Sequence, residues 1–501
     1  MTIHLSIVIF LPLAAAVVGL LLPTALVRAV AIVGSLLVLA YAIVIVADFD
    51  SGASGLQYVT NDVWISELGI RWKLGVDGLN LFLILLTTVL WTASTVWASL
   101  RSWDRPKLFF LHLALAETAV LGALTAQDLA LFVVFFDLML VPFFFLTGQW
   151  GTGERVRATT KLVIYTLVGS LLMLSAAVAT GVLSASGDQS ITFEISALAE
   201  RTLPRGTQDW IFLFFAAAFL VKMPAFPLHG WMPDGYTSMP LPVLAVFSGV
   251  LSKVAAYGFL RIVLPVFPDA TVHYQEFMLL LALMSILYGS VMAFTTTQVR
   301  LVLGYSSVAQ LGFIVLGIFA LRETGAQGAI LQAVNHGLVV APAFFVVALL
   351  AERVGSEDLR DMGGLALRAP VLATMALIVT FAILAMPGSS NFVGEFLILL
   401  GTFQSKIVFA FVASTGVVLA AVYALRLFIR AFHNDRGVER QESREISLRD
   451  SFVLVPLVAA IVALALYPQL ALHRSERSTT QAVAEAKALA TGEVARTAVM
   501  P

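Results

Sequence analysis

The sequence predicts an all-α polytopic membrane protein of about fourteen transmembrane helices, the seventh and twelfth of them discontinuous. Three observations carry this expectation: a chain too apolar to face water, helix-length apolar runs from end to end, and two proline-rich interruptions five helices apart. Of 501 residues, 59% are hydrophobic and 12% charged, where a typical globular protein carries roughly 25% charged residues. Too few polar groups remain to cover a solvated surface. Basic and acidic residues nearly cancel, 30 against 31, so no basic field exists to hold nucleic acid.

The absence of cysteine removes thiolate-bound iron–sulfur clusters, disulfides and thiol nucleophiles together. The histidines show no HxxxH ligand spacing, and no GxxxxGK(S/T) or GxGxxG loop offers a nucleotide site. Redox chemistry and hydride transfer therefore belong elsewhere. No Lys or Arg precedes Arg28, which predicts a retained first helix instead of a cleaved signal peptide.

A hydrocarbon core of ~30 Å needs about 20 helical residues. Apolar runs of that order fall at Leu5–Leu22, Ala25–Ala47, Leu79–Leu100, Leu108–Ala123, Leu129–Leu146, Leu162–Leu183 and Ile211–Leu228. They continue at Leu241–Val263, Phe277–Phe294, Val299–Leu321, Ile330–Ala351, Val371–Leu384 with an extension to Leu400, Ile407–Ile429 and Phe452–Tyr467. They lack the period-2 alternation of barrel strands, so they read as helices. Threading them alternately puts 17 Lys and Arg on one side and 11 on the other. Since basic loops stay cytoplasmic, both termini are expected outside. The tail from His473 onward reads equally as a short external helix or as disordered chain.

Beyond Lys222 the chain reads MPAFPLHGWMP, and Pro224 and Pro227 each remove a backbone donor from what would be continuing helix. PGSSNFVGEF, opening at Pro387, interrupts the twelfth span in the same way. Broken backbone at membrane depth is tolerated where it is buried in protein or lines a wet cavity, and paired breaks point to a transport site. Their spacing suggests two five-helix repeats of opposite topology. The organisation expected is three N-terminal helices over 1–106, a first repeat over 107–265, a second over 266–430, and over 431–501 a cytoplasmic loop, the last span and an external tail.

Four ionisable residues interrupt the apolar runs: Asp137, Lys222, Lys253 and Glu395. Each charge at bilayer centre costs ~2.5–3.5 kcal/mol, so four unpaired ones would cost about 10–14 kcal/mol. They must pair, neutralise or meet water. A proton path uses them best, because moving a carboxylate beside a desolvated lysine switches that lysine between protonation states; buried ion pairs fixing helix register are the plain alternative. His336, inside its span, titrates near neutral pH and suits a relay as well as a packing role. Glu117 has small neighbours and is expected to hydrogen-bond within the bundle. His229, beside the first break, is expected at the interface.

Five stretches carry a resemblance: GVDGLNLFLILLT (75–87), ATTKLVIYTLVGSLLML (158–174), VKMPAFPLHGWMPD (221–234), LGYSSVAQLGF (303–313) and PGSSNFVGEF (387–396). Together they resemble subunit M of respiratory complex I, an antiporter-like, proton-translocating membrane subunit of NADH:quinone oxidoreductase. The similarity runs from about Gly75 to Arg430. It implies Lys222 as a switching lysine, Asp137 as its carboxylate partner, Lys253 as central proton carrier, His336 as connecting relay and Glu395 as terminal carrier. It implies a non-redox subunit of the bacterial inner membrane beside antiporter-like neighbours L and N, with NADH, FMN, iron–sulfur clusters and quinone on other subunits and no cofactor here.

Three departures stand out. The family usually has glutamate at Asp137, commonly reads YSSxSHLG where this chain has Gln310, and reads PDAHxEAP where this chain has Tyr236. Related readings are a subunit of a multi-subunit sodium/proton antiporter or of a membrane-bound hydrogenase. A scaffold subunit that no longer pumps is the reading fed by Gln310 and Tyr236 and opposed by Lys222, Lys253 and Glu395.

Overall fold

The structure is a computed structural model that describes residues 3–53, 55–185, 190–433 and 444–492. The chain runs through α1 (Leu5–Leu21), α2 (Val27–Asp48), a hairpin of β1 (Gln57–Ile65) and β2 (Ile70–Val76), α3 (Leu81–Ser99) and α4 (Pro106–Thr125). There follow α5 (Leu129–Trp150), α6 (Arg155–Leu183), α7 (Arg205–Lys222), α8 (Leu241–Val266), α9 (Gln275–Thr295), α10 (Val299–Phe319) and α11 (Glu323–Val354). The chain closes with α12 in two pieces, Pro370–Ile383 and Ser390–Ser405, then α13 (Ile407–Phe432), α14 (Leu448–Leu466) and α15 (Gln469–Thr491).

Among the described residues, eleven helices are long and apolar enough to cross a membrane. The other three of the fourteen expected spans are α1, at 17 residues, α7, whose 18 residues carry Arg205, Asp209 and Lys222, and α12, whose two pieces are short because the helix is interrupted. Boundaries move where charge continues a helix or proline stops it. α6 begins at Arg155 and not Leu162, and α11 extends to Glu323 and Val354, because polar turns carry on hydrogen bonding past the apolar core. α7 ends at Lys222 and not Leu228, where Pro224 can supply no donor.

The hairpin was not expected. Its strands pair antiparallel around Gly69, whose φ of 66° suits a residue without Cβ. Trp72 stacks on Phe10 of α1 at 5.8 Å between ring centroids, which fixes the hairpin to the bundle. The tail is a helix over its described length, with Ser475, Thr479 and Val483 buried beneath it.

The two basic sets lie at opposite ends of the helices, and each ion pair among the described residues stays within one end. Arg101 with Glu352 at 2.7 Å, Arg300 with Glu357 at 2.6 Å and Lys161 with Asp234 mark the basic end. Arg261 with Asp77 at 2.5 Å, Lys406 with Glu276 at 2.6 Å and Lys73 with Glu194 mark the other. Burial works to raise the Glu194 carboxyl; Lys73 and Ser196 outweigh it, and its pKa lies below the ordinary value.

Two small backbone bridges echo each other across the chain. Leu129 N donates to Phe193 O at 2.6 Å and Ile195 N to Gln127 O at 3.1 Å, just before α5 and α7. Val299 N donates to Glu357 O and Leu359 N to Thr297 O, both at 2.9 Å, just before α10 and α12. The first bridge sits at the end of Lys73 and Glu194, the second at the basic end.

The core is α8, α10 and α11. In the apolar stretch of each, 100%, 94% and 100% of residues are buried, against 28% in α2 and α14. α8 and α11 cross at Gly249 and Gly337: a Cβ on Gly337 would strike the Gly249 carbonyl and the Leu86 side chain. Gly337→Leu is therefore expected to cost about 1–3 kcal/mol through overpacking, seen as a lower melting temperature of the extracted protein. An unchanged melting temperature would refute that close crossing.

Candidate proton pathway

Pro224 ends α7 and frees carbonyls that find other partners. Ala225 N donates to Leu220 O at 3.0 Å and Trp231 Nε1 to Val221 O at 3.0 Å, which meets the rule that buried backbone groups are paired. The last helical residue is Lys222, 6% exposed. Its Nζ donates to Phe136 O at 3.3 Å and lies 4.4 Å from the centre of the Phe136 ring. Asp137 is the next residue of α5; it acts on Lys222 electrostatically without an ion-pair contact, and its Oδ1 has no partner.

Lys253 is wholly buried in α8, between two π-helical turns, Phe247–Leu251 and Phe259–Val263. Such turns widen the helix and occur often at functional positions. Lys253 Nζ donates to the Ser248 carbonyl in the first of them at 2.7 Å. His336 on α11, 3% exposed, lies within the electrostatic reach of Lys253, and its Nδ1 is unpartnered.

The second break is shaped by Pro387 and by Ala385, held at φ 51°. Glu395, 3% exposed, sits on the piece of α12 that follows. Gln310 of α10 donates to Glu395 Oε1 at 2.6 Å, and Gln332 of α11 donates to Gln310 Oε1 at 2.7 Å. Gln310, far from leaving a gap, is the bridge between two helices and the carboxylate.

Asp137 and Lys222, Lys253 and His336, and Gln310 with Glu395 thus form three neighbouring groups. Unpartnered buried polar atoms lie on the helices joining the last two: Asn335 Oδ1, Gln332 Oε1, the Ser389 and Ser390 hydroxyls, the Asn391 amide and Tyr423 OH. Asn335 Nδ2 is anchored on Ser390 O at 2.6 Å. These residues were missed from sequence, although Gln332, Asn335 and His336 stand at i, i+3, i+4 in an apolar helix and so share one face.

Glu117, 2% exposed, leaves Oε1 without a hydrogen bond. His229, 8% exposed, packs among the rings of Phe226, Tyr288 and Tyr305. Tyr236 is buried against Trp231, Phe247 and Phe344. Among the described residues no three His, Cys, Asp or Glu cluster as metal ligands.

The family model described as NADH:quinone oxidoreductase/Mrp antiporter, TM matches residues 126–420, which take in Asp137, Lys222, Lys253, His336 and Glu395. NADH-quinone oxidoreductase subunit M of Rhodobacter capsulatus is 36% identical over 93% of both chains, and that of Escherichia coli K12 is 37% identical over 81% of both. The chain belongs to this family. Like this antiporter-family subunit, a chain of respiratory complex I from Thermus thermophilus with bound NADH has the fold, at TM-score 0.88 and 29% identity over 97% of this chain and 100% of that one. A chain of the Mrp complex from Dietzia sp. shares the fold at TM-score 0.84 and 22% identity, over 96% of this chain and 97% of its own.

Gln310→Ala would strip Glu395 and Gln332 of their shared partner. The antiporter-family subunit is expected to lose about 1–3 kcal/mol, the cost of leaving buried polar groups unpaired, measured as a fall in melting temperature. Equal melting of variant and parent would show that the bridge carries no stability.

Proposed function

We propose that this subunit translocates protons within an NADH:quinone oxidoreductase of the complex I type, driven by quinone reduction on other subunits. The observation that carries the reading is the succession of ionisable groups inside the bundle, half-buried Asp137 and buried Lys222, buried Lys253 and His336, then buried Glu395, at two helix breaks and between two π turns. Lys222 is the switching lysine and Asp137 its partner. Lys253 is the central carrier, His336 the relay to the second half, and Glu395 the terminal carrier. Water standing at the unpartnered amides and hydroxyls would join the groups.

The two backbone bridges at opposite ends support a pair of inverted five-helix repeats over 107–265 and 266–430. The concentration of Arg at one end supports a cytoplasmic assignment for that end, with both termini outside. Protons would enter from the cytoplasmic side near Lys222 and leave beyond Glu395. Antiporter-like subunits L and N are the neighbours this reading calls for. A chain without cysteine supplies no thiolate to an iron–sulfur cluster; in this reading NADH, FMN, clusters and quinone belong to other subunits and this chain acts as a non-redox part of the enzyme.

Moving one proton against 100 mV costs about 2.3 kcal/mol. A lysine pKa change of one unit is worth about 1.4 kcal/mol, so a shift of about two units, caused by Asp137 approaching and leaving Lys222, covers the step. Asp137 stands off from Lys222 in this structure, the geometry of a pair that can open.

Lys222→Met should cut proton translocation in membrane vesicles by an order of magnitude while the complex still assembles on a native gel; pumping at the parental level would overturn the switching role. Asp137→Glu lengthens the carboxylate toward Lys222 and is expected to keep pumping. Collapse of its activity would mean that the shorter side chain is matched to its surroundings.

A further inference from the structure

The GVDG stretch opening at Gly75 has no part in the pathway above, yet it meets the far end of α8. Lys253, Tyr257 and Arg261 are spaced i, i+4, i+8, so they form one stripe rising about 6 Å per step. Tyr257 is wholly buried. Its hydroxyl accepts from Arg261 Nε at 3.1 Å and from Gln127 Nε2 at 3.4 Å. Arg261 Nη2 meets Asp77 Oδ2 at 2.5 Å, with side-chain exposures of 14% and 8%.

Asp77 is held firmly. Its Oδ1 accepts from Leu79 N at 3.0 Å, and its own N–H donates to Asn80 Oδ1 at 2.9 Å. Asn80 in turn donates to Leu124 O at 2.8 Å and Gly75 O at 3.0 Å. Beyond the pair lies a cavity of about 200 Å³, open to solvent and lined by Ser196, Ser478 and Gln481 as well as by Asp77, Arg261 and Gln127. Water can therefore reach the guanidinium, while Lys253, two turns deeper, turns its ammonium the other way onto Ser248 O.

We propose that Asp77 and Arg261 form an electrostatic seal that closes the α8 stripe between Lys253 and the cavity under α15, forcing a proton on Lys253 sideways toward His336. A guanidinium stays charged at every working pH, and a fixed Arg in a narrow polar passage repels protons and other cations. Asp77 orients it and neutralises its burial cost. The inference rests on Lys253 as a proton carrier.

The test is passive proton leak through the whole complex in proteoliposomes, followed as decay of an imposed pH gradient without NADH or quinone. Asp77→Asn and Arg261→Gln are each expected to raise the leak several-fold, and a second change, Lys253→Met, to cancel the rise. Glu194→Gln, which breaks the nearby ion pair with Lys73 off the stripe, should leave the leak at the parental level. Parental leak in both seal variants overturns the proposal, as does a rise that survives Lys253→Met or that Glu194→Gln reproduces. If the seal variants fail to assemble, Tyr257→Phe, which removes only the bridging hydroxyl, decides by the same criteria. A Lys253→Met complex that pumps normally would overturn the carrier role itself, a separate outcome read during turnover.

Discussion

An ionisable side chain surrounded by apolar helices is held only by the few polar atoms within its reach, and the irregular parts of this fold are where such atoms become available. A regular α-helix already engages its carbonyls with its own N–H groups, so a buried amine competes there for a second lone pair. Here the Phe136 carbonyl lies open to Lys222 in the last turn before α5 bends through Met139 toward Pro142, and the Ser248 carbonyl lies in a π turn below Lys253. Ser390 O, on the first helical residue after the break in α12, accepts from Asn335. Each departure from regular helix meets a polar group that the surrounding hydrocarbon could not solvate.

The same constraint explains how the glutamines act. Gln310 is a neutral amide and cannot titrate. It offers both a donor and an acceptor, however, and uses one on Glu395 and the other on Gln332. Three helices are thereby tied together through neutral groups, and the carboxylate keeps one oxygen free. A charge at that position would have had to be compensated again within the most buried region of the bundle.

Much of this was legible in the residues. Asp137, Lys222, Lys253 and Glu395 stood out because each interrupts an apolar run, and Pro224 and Pro387 marked both breaks because a missing donor is a local property of the sequence. What stayed hidden depends on partners distant in the chain. Nothing near Glu395 announces Gln310, which lies 85 residues earlier, and a π turn has no composition of its own. The hairpin of Gln57–Val76 was lost between two hydrophobic spans, because only its second strand, Ile70–Val76, alternates apolar and basic residues with the period of a strand, while Gln57–Ile65 does not. Tyr288 and Tyr305, which pack on His229, come from other helices and so were equally invisible around it in sequence.

The two π turns of α8 hold a further consequence. Each fits an additional residue into a turn, and each residue of helix corresponds to about 100° of rotation. Shifting the first turn along the helix, by exchanging carbonyl partners one after another, would swivel Lys253 about the helix axis while Pro242 and Val266 stayed in place. A screw-like motion of this kind lets a buried amine face a new neighbour without tilting a helix or opening the bundle to lipid.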